Sequence, residues 1–99
     1  MIRHIVVWNL VPTDPAERTN AFEELKAKFE GLVGVVPGLN ALTFSRDVGT
    51  TAGNSDVVLI TDHDDEEGLA VYQSHPEHVV VAGFVRTVTK DRACVDIEL

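Results

Sequence analysis

Four histidines, one tyrosine and one cysteine hold most of the chemistry open to this 99-residue chain. His4 interrupts an otherwise apolar run, Ile2-Arg3-His4-Ile5-Val6-Val7-Trp8. A histidine in such a strand is ordinarily a core polar group, satisfied by a carbonyl or a hydroxyl. The functional alternative has His4 projecting from a sheet towards helices, where Tyr72 and His78 meet it across a pocket. Imidazoles suit proton transfer near neutrality, and a tyrosine hydroxyl can orient one or stabilise a developing enolate. His63 follows Asp62 and precedes Asp64 and Asp65, and reads as a surface histidine among carboxylates. His75 and His78 have the spacing of two ligands on one helix face. Pro76 breaks that register and no third ligand is near in sequence, so no metal is expected. Cys94 has no helix start or clear basic neighbour to activate it and reads as a buried thiol. No phosphate loop, dinucleotide fingerprint or nucleophile elbow is present, so no cofactor is expected.

The elements that must place these residues follow from periodicity. Residues 2–10 read as a strand with Ile2, His4, Val6, Trp8 and Leu10 on one face. Large apolar residues on the other face, Ile5 and Val7, mark it as central. Asp14 as cap, Pro15 at the first helical position and Glu17 three residues after the cap start a helix over about 15–33. Its stripe is Phe22, Leu25, Phe29, Leu32 and Val33, and Gly34 with Pro37-Gly38 ends it. Residues 41–47 alternate as a half-buried strand nearer an edge, and residues 56–62 as a second central strand. The acidic run at 62–67 reads as a solvated turn with acids at a helix start; its spacing does not fit a calcium loop. A short helix over about 65–74 turns Leu69 and Tyr72 inward and stops at His75-Pro76. A further helix runs from Glu77 to about Thr87 and presents Val80, Phe84 and Val88, or a neighbouring stripe. A last strand covers 91–98, with Ala93, Val95 and Ile97 opposite Cys94, Asp96 and Glu98.

Strand, helix, strand, strand, helix, strand is the order of a split βαβ unit with the first and third strands in the middle of a four-stranded antiparallel sheet. Helices on one face leave Ile5, Val7 and half of the third strand as an open apolar patch on the order of several hundred Å2. A second copy laid sheet against sheet would cover it, so a homodimer is expected. Composition agrees with a single α+β domain over residues 1–99. Sixteen acids against eight bases, a formal charge of −8, disfavour nucleic acid and anionic membrane as partners. No apolar run approaches a membrane span, the first residues do not form a signal peptide, and one cysteine fits a reducing compartment. A cytoplasmic location is expected.

Four stretches together resemble one family. Met1-Ile2-Arg3-His4-Ile5-Val6-Val7, Val36-Pro37-Gly38, Asp56-Val57-Val58-Leu59 and Tyr72-Gln73-Ser74-His75-Pro76-Glu77-His78 resemble the stress-responsive dimeric α/β-barrel (Dabb) domain over essentially the whole chain. The resemblance implies a ferredoxin-like βαββαβ subunit whose sheet packs on a partner's to close a barrel. Function transfers less directly than fold. One plant member of the family, the olivetolic acid cyclase, performs an intramolecular aldol condensation on a linear polyketide thioester. By that likeness His78 is the general base, Tyr72 orients it, and His4 holds substrate or the enolate oxygen. The implied ligand is small and hydrophobic, aromatic or polyketide-like. Related dimeric barrels include cofactor-free monooxygenases, which leaves that chemistry open beside the cyclase or lyase one.

Overall fold

The computed structural model describes residues 1–99. Strict alternation produces β1 (Ile2–Leu10), whose even-numbered residues are buried and whose odd-numbered residues are only partly covered. Helix α1 (Pro15–Glu30) starts where the Asp14 carboxylate accepts the Ala16 and Glu17 amides, both at 3.1 Å, with Pro15 at the first helical position. It ends earlier than the apolar stripe suggests. The Leu32 and Val33 amides bond three residues back, to Phe29 and Glu30. That tighter winding keeps Leu32 buried and swings Val33 into solvent, because three residues per turn cannot hold a 3.6-residue stripe.

The remaining elements are β2 (Ala41–Arg46), β3 (Val57–His63), α2 (Glu66–Ser74), α3 (Pro76–Val88) and β4 (Thr89–Glu98). Asp65 caps α2 by accepting the Gly68 amide at 2.7 Å. This is the helix-start role expected of the acidic run, while Asp62 pairs instead with Arg3 and Asp64 accepts from Asn40. His75 ends α2 and caps α3, its Nδ1 accepting the Glu77 amide at 3.1 Å. On α3 the buried stripe is Val81 and Val85, with Phe84 and Val88 packed partly against it and Val80 exposed. The stripe neighbouring Val80 is therefore the one that meets the sheet.

The four strands form one antiparallel sheet in the order β2-β3-β1-β4. The two strands with apolar residues on both faces are the central ones. This is the ferredoxin-like arrangement, with all three helices on one side. Between helices and sheet, Phe29 packs on Trp8 and Phe44 at ring separations of 6.1 and 5.1 Å, and Phe22 on Phe44 at 5.5 Å. Leu25 is fully buried beside them, worth about 1.5–3 kcal/mol in transfer free energy. On the opposite side, Ile5, Val7, Val58 and Ile60 are only half-covered, and Val95 and Ile97 of β4 extend the same face, 55% and 41% exposed.

Candidate functional site

The phase of β1 turns His4 inward, and its neighbours come from β4. His4 pairs with Asp96 and Val6 with Cys94, so both polar residues lie on the helix side of the sheet. His4 is 4% exposed; its Nδ1–H donates to Asp96 Oδ1 at 2.5 Å, which leaves Nε2 as its free polar atom. Cys94 Sγ lies 3.5 Å from the same Nδ1 and 3.9 Å from Asp96 Oδ1. The three donor atoms fall within 4.8 Å of one another, although the hydrogen bond already occupies two of them. Cys94 is exposed rather than buried as the sequence suggests, because the helices do not extend over edge strand β4. Burial and the Asp96 charge raise its thiol pKa, so the thiol form prevails at neutral pH.

Tyr72 and His78 come together across the α2–α3 junction, with ring centroids 4.5 Å apart. The tyrosine does not orient the imidazole through its hydroxyl. Tyr72 is fully buried and its hydroxyl has no hydrogen-bond partner, an arrangement that costs about 1–3 kcal/mol. Burial also pushes the phenol pKa upward. What orients His78 is the backbone: Nδ1–H donates to the Gln73 carbonyl at 3.0 Å. A carbonyl can only accept, so His78 carries its proton on Nδ1 and Nε2 is the basic nitrogen. Burial lowers its pKa; the Gln73 bond opposes that, and the nearby His4 and His75 charges add to it.

His63 differs most from expectation. It is completely buried, Nδ1–H donating to the Gly38 carbonyl at 2.6 Å and Nε2 accepting from the Thr61 hydroxyl at 2.8 Å. Alternation along Val57, Leu59 and Thr61 carries one residue further than the expected end of β3 and points His63 inward. Its ring also packs on Tyr72, 5.0 Å between centroids. Tyr72 thus contacts two imidazoles, and burial lowers the pKa of His63 as well. His75 and His78 use their Nδ1 atoms differently, His75 accepting the Glu77 amide and His78 donating to the Gln73 carbonyl.

A cavity of about 290 Å3 opens between the sheet and α3, close to the lower bound for small-molecule sites. His4 and His78 both line it, with Val6, Trp8, Phe29 and Leu59 as apolar floor. Tyr72 is not among its lining residues and supports His78 from behind. Gln73, Arg86 and Arg92 also line it. Arg92 and the Asp96–His4 pair were not legible in the sequence because cross-strand register decides them, and Arg86 was not because its place depends on which face of α3 packs.

Residues 2–99 match the family described as the Stress responsive A/B Barrel Domain. The chain belongs to that family. No curated protein matches this barrel domain, but solved structures do. A dimeric ferredoxin-like protein of unknown function from Thermobifida fusca is 29% identical, with a TM-score of 0.84 over 99% of this chain and 90% of that one. A dimeric protein of unknown function and ferredoxin-like fold from Bacteroides fragilis is 23% identical, TM-score 0.86, over 99% and 95%. The hydroxynitrile lyase of Passiflora edulis shares the fold at 12% identity, TM-score 0.80, over 97% and 90%. Within the barrel domain no helix is long and apolar enough to cross a membrane.

Proposed function

We propose that this barrel domain is a homodimer, closed sheet face to sheet face. In each subunit the cavity between sheet and helices takes a small molecule, and His78 acts there as general base in a lyase- or cyclase-type reaction. The observation that carries the chemistry is the tautomer of His78. Its Nδ1–H is held by the Gln73 carbonyl, so a basic Nε2 belongs to a side chain lining a largely apolar cavity. A pKa lowered by burial keeps that nitrogen unprotonated near neutrality, as a general base requires. Nε2 takes a proton from a carbon activated by an adjacent carbonyl, and charge develops on the carbonyl oxygen. His4, with Asp96 as counter-ion on Nδ1, is the neighbouring group that offers Nε2–H to that oxygen when protonated. Tyr72 acts through His78 by fixing its ring, and is a positioning residue. The dimer reading is supported by the half-covered apolar face of Ile5, Val7, Val58 and Ile60, and by relatives described as dimeric.

The test is turnover of a poly-β-keto thioester. His78→Ala should lower the rate by at least about 100-fold, the usual share of general-base catalysis, while the protein stays folded and dimeric. An unchanged rate in that variant removes His78 from the chemistry.

A further inference from the structure

The charge lining the cavity runs against the charge of the chain. Acids outnumber bases sixteen to eight overall, yet no aspartate or glutamate lines the cavity and two arginines do, Arg86 from α3 and Arg92 from β4. Arg3, Arg18, Lys26 and Lys28 each pair with a carboxylate; Arg46, Lys90 and the two cavity arginines have none within 4.0 Å. The one carboxylate beside His4, Asp96, already has its Oδ1 engaged by that imidazole. Arg86 also suits the C-terminal end of a helix dipole, but that does not account for Arg92 on a strand across the cavity. The lining thus combines two cationic side chains with an apolar floor of Val6, Trp8, Phe29 and Leu59. Guanidinium groups match carboxylates in planar, paired hydrogen bonds.

We propose that the cavity selects a small amphipathic carboxylate, an aryl or alkyl acid whose apolar body lies on Trp8 and whose charge is met by Arg86 and Arg92. The inference rests on the small-molecule cavity proposed above and specifies what it takes.

Trp8 is the only tryptophan of the chain and lines the cavity, so its fluorescence reports occupancy directly. The probes are 4-butylbenzoate and its neutral isostere 4-butylbenzamide, titrated into the folded protein at pH 7.5. The acid should bind about tenfold or more tightly than the amide, on the scale of a few charge-assisted hydrogen bonds. Arg86→Gln with Arg92→Gln should abolish the preference and leave amide affinity in place. Arg92→Gln alone, on the exposed edge strand, should halve the preference or more and serves if the double variant does not fold. Equal binding of acid and amide to the unaltered protein overturns anion selection while the cavity reading stands. A preference that survives the arginine substitutions overturns it too. If neither probe perturbs Trp8, the small-molecule cavity itself is wrong.

Discussion

At the scale of single residues, three rings in contact set the behaviour of the interior. His63 and His78 flank Tyr72, and burial lowers the pKa of each imidazole. The unfolded chain, with histidines near 6.5, takes up protons before the folded one does as pH falls. Stability is therefore full above about pH 6.5 and is lost as pH drops through 6.5 towards the folded values. Each group contributes a slope of up to about 1.4 kcal/mol per pH unit in that window. Chemical denaturation between pH 7.5 and pH 5.5 should show this decline, and His63→Gln should make it shallower. A flat or rising stability would mean that neither histidine is neutral in the fold. The burial of His63 runs against its sequence surroundings for an identifiable reason. Its acidic neighbours suggest solvent, whereas the two-residue alternation through Thr61 points it inward, and burial outweighs composition. Cys94 fails in the reverse sense: the strand order already makes β4 an edge, but nothing local reveals how little of it the helices cover.

Among the elements, the turn after α1 has the tightest requirement. Gly38 has φ +84, and a Cβ there would lie 2.7 Å from the Gly68 carbonyl oxygen, backbone against backbone. The Gly38 carbonyl is also the acceptor for His63. This contact brings the Val36-Pro37-Gly38 turn onto the start of α2 and so helps place Tyr72. Gly38→Ala should destabilise by at least about 2–3 kcal/mol, combining left-handed strain with the clash. Gly34→Ala has a similar φ of +80 with open space around it, and should cost only about 1–2 kcal/mol. Equal losses in thermal or urea unfolding would show that the Gly38–Gly68 approach is immaterial. Element identities and central strands were readable from hydrophobic period alone. Which face of α3 packs was not, because Val79, Val80 and Val81 offer three adjacent apolar directions and only the sheet chooses Val81. Register was equally hidden, and with it the bond from His4 to Asp96.

For the whole molecule, the proposed assembly rests on the open sheet face. Ile5, Val7, Val58 and Ile60, extended by Val95 and Ile97, form an apolar surface on the side away from the helices, with the Arg3–Asp62 ion pair at 2.8 Å on the same face. In the homodimer proposed here that surface is buried against its copy. Val7→Glu would set two like charges into a dry interface, at a cost of several kcal/mol. Light scattering after size exclusion should find the unaltered chain dimeric and Val7→Glu monomeric or aggregated. A persistent Val7→Glu dimer would place the interface elsewhere.

The most direct measurement is nitrogen-15 NMR of the histidine side chains across a pH titration. His78 should be neutral at pH 7 with its proton on Nδ1, titrate below the ordinary value near 6.5, and shift when Tyr72→Phe alters the ring beside it. A His78 that carries its proton on Nε2, or titrates as a free surface imidazole indifferent to Tyr72, would contradict the general-base site at its foundation.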